Sequence, residues 1–122
     1  MGAWKLVRLD PGTGSLVTPL QRTELTAAFR DDGRLAGSAG CNRYGTSYET
    51  TGSTLKVNPL IAATQMWCAE PDGTMTQEDA FLQAWARVAG FDIEEDHLQL
   101  TDAQGAPVFV FVLAEPSGST TK

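Results

Sequence analysis

The chain has 122 residues, 42% of them hydrophobic, long enough to bury one core and too short for two, so it reads as a single domain over residues 1–114 with a polar tail. Nine Lys and Arg stand against fifteen Asp and Glu, a net charge of −6; the nine are scattered, and without a basic surface to neutralise phosphates nucleic acid is not an expected partner. No stretch approaches the roughly 20 apolar residues of a membrane helix, and Met1-Gly2-Ala3-Trp4 lacks the basic head and apolar run of a signal peptide.

Ala3 to Leu9 alternates apolar and polar residues, a first strand with Trp4, Leu6 and Arg8 on one face and Lys5, Val7 and Leu9 on the other. Asp10-Pro11-Gly12-Thr13-Gly14 ends it in a turn, and a loop runs on through Pro19. Gly12 and Gly14 lack the third glycine and the strand-to-helix setting of a dinucleotide loop, which argues against phosphate binding there. Glu24 to Arg30 is a second strand with Leu25, Ala27 and Phe29 on one face. Asp32-Gly33 is expected as a two-residue hairpin turn, with Arg34 to Gly37 as the returning strand.

Gly37-Ser38-Ala39-Gly40-Cys41-Asn42-Arg43-Tyr44-Gly45-Thr46-Ser47-Tyr48 then interrupts the alternation. Gly37, Gly40, Asn42 and Gly45 are expected to shape a loop with non-β backbone, because glycine and asparagine tolerate conformations that bulky residues avoid. Asn42 suits a left-handed position and a side-chain bond to nearby backbone, a reading preferred over ligand contact. Arg43, Tyr44 and Tyr48 bring a fixed charge, two phenolic donors and aromatic area, the ingredients of a ligand- or partner-binding surface. Tyr44, directly after Cys-Asn-Arg, could as easily be buried.

Thr46 to Glu49 resumes a strand, Thr51-Gly52 turns, Ser53 to Val57 continues with Leu55 and Val57 inward, and Asn58-Pro59 stops it. Leu60 to Cys68 has no clear period and is expected as an irregular segment that brings Cys68 back beside Cys41. A Cys41–Cys68 disulfide would stabilise by roughly 3 to 4 kcal/mol on the chain-entropy model; the alternative is two separate buried thiols in a cytosolic protein. There is no Cys-x-x-Cys, no Cys/His cluster and no EF-hand spacing, so neither a metal nor another cofactor is expected. Trp67 is expected to fill the core, with an exposed partner-binding anchor as the other reading.

Glu70-Pro71-Asp72-Gly73 turns, and Thr76 is the expected N-cap of a helix through Ala89, with Glu78 and Asp79 near its positive end. Phe81, Leu82, Trp85, Val88 and Ala89 form one apolar stripe, and Gly90 is placed to stop the helix. Membrane binding by that stripe is disfavoured, since the first turn is acidic and Arg87 is the polar face's one cation. Phe91 to Ile93, His97 to Thr101 and Pro107 to Leu113 complete the sheet, with Glu94-Glu95-Asp96 and Asp102-Ala103-Gln104-Gly105 as solvated turns. Val108 to Leu113 is apolar on both faces, as a buried central strand would be. Residues 115–122 lack apolar anchors and are expected to be disordered.

Gly37 to Tyr44, followed by Gly45 and Tyr48, resembles the glycine-cysteine-asparagine signature of the META domain, the HslJ-like family. Other parts follow the family's order: Trp4 and Leu6 in the opening strand, Leu55 in a Gly-x-x-Leu turn, Thr64-Gln65-Met66-Trp67-Cys68, then Met75, Glu78, Phe81 and Leu82, and finally Leu98, Leu100 and Gly105. The resemblance runs from Trp4 to Phe111 and implies a bacterial envelope or stress-related protein, often a lipoprotein, with no established catalytic residues.

The elements together form an α+β, mainly β fold: an antiparallel, barrel-like sheet of about seven or eight strands with one packed helix. Two functions fit it. The first is a non-catalytic binding or scaffold domain, monomeric, in the cell envelope or secreted, with a leader or lipid anchor outside this stretch of chain. The cytoplasm is the alternative location, and a protein or small molecule is the ligand. The second is a small hydrolase or isomerase with its site in the barrel mouth. His97, the one histidine, has no nucleophile near it in sequence, and the acids fall at turns or the helix start, so the first function is preferred.

Overall fold

The computed structural model describes residues 2–114; the tail expected to be disordered lies outside them. Nine strands form: β1 (Gly2–Leu9), β2 (Thr26–Phe29), β3 (Arg34–Ser38), β4 (Arg43–Thr51), β5 (Thr54–Val57), β6 (Ala62–Ala63), β7 (Gly90–Glu94), β8 (His97–Thr101) and β9 (Pro107–Leu113). A helix, α1 (Thr74–Ala84), runs into a 3-10 turn at Trp85–Arg87. The strands are hydrogen-bonded in the order β3-β2-β1-β9-β8-β7-β5-β4, and β4 pairs back onto β3. All these pairs are antiparallel, so the mainly β, barrel-like fold read from the sequence is the fold observed, closed by eight strands with β6 as a short addition beside β4. The seam is thinnest between β5 and β7, where Thr54 faces Gly90 and two further bonds, Leu55 N–H to the Ala89 carbonyl and Phe91 N–H to the Ser53 carbonyl, flank the pair.

Where the sequence alternates, burial alternates, and the departures have local causes. In β1 the register against β9 shifts between Leu6 and Arg8. The bulge absorbs Val7, so Leu9 joins Trp4 and Leu6 on the buried face and Arg8 turns outward, the reverse of strict alternation. The β2–β3 hairpin uses three loop residues, Asp31 to Gly33, rather than the expected two. Gly33 N–H bonds the Arg30 carbonyl at 3.1 Å and Gly33 alone in the loop has positive φ, 87°, the pattern of a tight turn followed by a glycine bulge.

The helix differs most from expectation. It begins at Thr74 behind Gly73, whose φ is 90°, and the Thr74 hydroxyl bonds the Pro71 carbonyl; Thr76 lies inside the helix and caps nothing. It ends as an α-helix at Ala84, because the next chain is captured by the sheet: Ala89 donates to Thr101 and accepts from Leu55. Gly90 is therefore a strand residue and not the helix stop. A side chain there would sit 3.1 Å from Thr101 Oγ1 and 3.3 Å from the Ser53 carbonyl, so glycine serves close approach across the seam.

Thr74, Glu78, Phe81 and Trp85 share the buried face of this helical segment. The Trp85 ring lies 4.7 Å from Phe109, 6.1 Å from Phe29, and 6.2 Å from both Tyr44 and Phe111, between centroids. Those four rings come from β2, β4 and β9, so the helix's aromatic residues fill the inside of the barrel. In β9, Phe109 and Phe111 face this interior, whereas Val110 and Val112 are half-buried and Leu113 is exposed. The strand is central, as its composition suggests, but only one of its faces is fully covered.

Asp10 closes the far end of the helical segment. Its Oδ1 accepts from the N–H groups of Gly12, Thr13 and Gly14 at 2.8, 2.9 and 3.0 Å, while Arg87 reaches its Oδ2 at 3.4 Å and its carbonyl at 2.6 Å. Burial alone would raise the Asp10 pKa, but the three N–H groups and the guanidinium outweigh it and hold the carboxyl below its ordinary value of 3.8. A carboxyl with a depressed folded-state pKa contributes stability above its unfolded value and loses it as pH falls through the folded one. The melting temperature should therefore drop as pH is taken below about 4, and Asp10→Asn should flatten that acid limb. Asp10→Ala, which orphans three N–H groups, should cost about 1–3 kcal/mol in urea unfolding at neutral pH.

Candidate functional site

The interrupted stretch forms a tight corner between β3 and β4. Ala39 N–H bonds the Asn42 carbonyl at 2.8 Å, so the turn is confined to Gly40, Cys41 and the residues beside them, and β4 starts at Arg43. The residues expected to bend the backbone act in different ways. Gly40 has φ 112° and needs to be glycine for that reason. Gly37 lies in β3, where a Cβ would stand 2.3 Å from the Thr26 carbonyl oxygen, so close approach and not curvature excludes a side chain. At Gly45 a Cβ would meet the Leu35 carbonyl at 3.9 Å, ordinary contact. Asn42 is not left-handed: Arg22 and Glu95 are the non-glycine residues with positive φ among the described residues.

The Asn42 side chain bonds distant segments rather than its own turn. Its Nδ2 donates to the Met66 carbonyl at 3.1 Å and to Glu78 Oε2 at 2.6 Å, and its Oδ1 accepts from the Thr64 hydroxyl at 2.8 Å and Met66 N–H at 2.6 Å. Both donors and both lone pairs of the amide are thus used. Glu78 completes the knot from α1, its Oε1 accepting from Cys41 N–H at 2.9 Å and Asn42 N–H at 2.7 Å. Sequence reasoning placed Glu78 at the helix dipole, yet it lies three residues before Phe81 and seven before Trp85, on the apolar stripe itself. An acid on that stripe was the signal of a buried role.

Cys41 and Cys68 are joined, with S–S 2.01 Å and Cα atoms 5.9 Å apart. The disulfide and Asn42 together hold residues 64–68 against the corner. Met66 gives both its backbone groups to Asn42 and Cys68 gives its side chain to Cys41, so Trp67 between them is turned outward. Trp67 is 77% exposed, which corrects the expectation of a core filler. Met66 is 56% exposed beside it.

The three candidate contact residues fall in three places. Arg43 is exposed on the outer face of β4. Tyr44 points the other way into the core, its hydroxyl donating to the Thr26 carbonyl at 2.6 Å and its ring 5.5 Å from Phe81; burial pushes its phenol far above the ordinary value. Tyr48 is half-buried about 13 Å along the strand. Its hydroxyl donates to the Arg30 carbonyl at 2.6 Å, its ring meets Phe29 edge-on at 5.1 Å, and burial, then Asp31 and Asp32, raise its pKa. The structure does not bring the three onto one surface.

Two shallow grooves run along α1, one of them bordered by the exposed indole. One, of about 360 Å³, is lined by Trp67, Met75, Thr76, Glu78, Asp79 and Leu82; the other, of about 480 Å³, by Pro59, Ile61, Leu82, Gln83 and Ala86. Leu82 belongs to both. His97 sits on the β7–β8 hairpin, exposed, 3.1 Å from Asp96. Among the described residues no three His, Cys, Asp or Glu side chains gather as metal ligands.

A profile of the META domain matches residues 1–115. Among solved structures the chain is similar to a protein from Burkholderia xenovorans determined by NMR, with a TM-score of 0.72 at 24% identity over 93% of this chain and 82% of that one. A second NMR structure gives 0.66 at 20% identity, covering 94% of this chain and 91% of that one. A crystal structure of a DUF4847 family protein from Bacteroides vulgatus gives 0.61 at 13% identity over 93% of each chain. At these identities the likeness concerns fold alone. A search of curated proteins finds no match.

Asn42→Ala should cost about 2–4 kcal/mol in urea unfolding, because buried donors and acceptors on Met66 and Glu78 lose a partner. Reducing the disulfide should cost roughly 3 kcal/mol. Both changes release the same segment, so together they should cost clearly less than their sum; full additivity would show that they hold separate features.

Proposed function

The chain belongs to the META domain family, and from that premise we propose a non-catalytic binding or scaffold domain, stress-related, working in the bacterial cell envelope or as a secreted protein. One observation carries the reading: an indole 77% exposed is held rigidly on the outside of a barrel whose inside is filled. With Met66 exposed beside it, the indole forms part of an apolar patch on a doubly pinned segment, and such patches mark interaction sites. Arg43 is exposed at the same corner, and its guanidinium has no ion pair among the described residues. Arg43 and Trp67 are the contact residues in this reading; Tyr44 and Tyr48 support β4 through their hydrogen bonds to backbone.

The disulfide supports an oxidising compartment. No helix among the described residues is long and apolar enough to cross a membrane. The META family is not a known enzyme family, and no catalytic role is proposed. Asp10 and Glu78, the buried acids, are each taken up by N–H donors, and neither faces a nucleophile.

Arg43→Ala with Trp67→Ala should leave unfolding free energy within about 0.5 kcal/mol of wild type, as surface changes do. In cells lacking the native protein, that double variant should fail to restore tolerance of envelope stress; full restoration by a folded double variant would overturn the reading. Thiol labelling of intact cells should find Cys41 and Cys68 unreactive until reductant is added, whereas labelling without reductant would place the chain in the cytoplasm.

A further inference from the structure

We infer that the paired grooves along α1 take a peptide segment of another protein in which a lysine or arginine is followed by apolar residues. The inference rests on the binding reading above at its Trp67 end and names the chemistry of the partner there; Arg43 lines neither groove. Along the two grooves the lining residues include no Lys or Arg, and their exposed acid is Asp79. The Asp79 carboxylate accepts a hydrogen bond from Gln83 Nε2 at 3.1 Å, a neutral donor, and has no ion pair among the described residues. Next to it stand the exposed Trp67 indole and the thioether of Met75, which accepts from Cys68 N–H at 3.5 Å.

An indole, a polarisable sulfur and a carboxylate around one opening suit a cation carried on an apolar stem, through cation–π attraction and an ion pair together. Beyond Leu82 the lining is mostly apolar, with Ile61, Pro59 and Ala86 beside Gln83. From Asp79 to Ala86 the helical segment rises about 10 Å. An extended peptide spans that in about three residues. A basic residue at Asp79 therefore places the side chains two and four positions along, which share its face, over Leu82 and Ile61. The chain's net charge of −6 favours encounter with such a segment and disfavours an acidic one.

Of the three tryptophans, Trp4 and Trp85 are 3% and 1% exposed, so acrylamide quenching of fluorescence reports mainly on Trp67. A short blocked peptide of sequence Lys-Ser-Leu-Ser-Leu, the lysine–leucine peptide, sets its lysine and both leucines on one face of an extended chain and should shield Trp67 saturably. Matched peptides with glutamate in place of the lysine (the glutamate–leucine peptide), or serine in place of both leucines, should bind at least about tenfold more weakly. Asp79→Asn, an exposed change that leaves the reporter in place, should weaken the lysine–leucine peptide about fivefold. Equal shielding by the glutamate–leucine peptide, or an unaltered affinity in Asp79→Asn, overturns the inference. So does shielding that grows with protein concentration alone, which would assign the face to a second copy. Absence of any shielding by the lysine–leucine peptide also overturns it. The broader binding reading would then still stand or fall with Arg43 and Trp67 in cells.

Discussion

The Asn42 side-chain amide is the point at which three separated pieces of chain meet. It belongs to the β3–β4 corner, bonds residues 64 and 66 of the irregular segment, and meets Glu78 of the helix. A buried amide is tolerated only when its donors and acceptors are all used, and this one is. Glutamine would extend the group by a methylene and misplace every bond, and aspartate would set a carboxylate against Glu78. The residue is chosen by the whole constellation, not by the turn in which it sits.

That constellation explains why the disulfide is where it is. Cys41 lies in the corner that Glu78 holds by two N–H bonds, and Cys68 follows the clamped Met66, so the thiols are brought together by hydrogen bonds on either side of them. The covalent link and the amide then restrain the same segment in two ways, one limiting the unfolded chain and one stabilising the folded one. An outward Trp67 is the by-product, since its neighbours in the chain are both committed to the corner.

The barrel and helix are complementary in a similar sense. A closed sheet of eight strands encloses an interior that side chains can fill or that can hold one small ligand, and here Phe81 and Trp85 of the helical segment fill it together with Phe29, Tyr44, Phe109 and Phe111. Tyr44 serves this packing with its ring while its hydroxyl satisfies the inward-turned Thr26 carbonyl, the same carbonyl that requires a glycine at position 37. With the interior filled, Arg43, Trp67 and the grooves along α1 lie on the outer surface.

Much of this was legible in the chain itself. Alternation located most strands, Gly33, Gly40 and Gly105 marked turns, and the Phe81–Trp85 spacing marked the helix face, because each depends on residues within a few positions of one another. The residues misjudged depend on distant ones. Arg8 and Leu9 change faces through a bulge set by β9, the helix ends early because the sheet takes Ala89, and Gly37 answers to Thr26 across the sheet. Trp67 is exposed because Asn42 and Cys41 hold its neighbours. Local periodicity and turn chemistry therefore determine the elements, and the residues from Gly37 to Tyr48 carry the family likeness, whereas which polar groups are buried together, and which aromatic ring is left outside, is decided by contacts between segments far apart in sequence, where no short-range pattern records the partner.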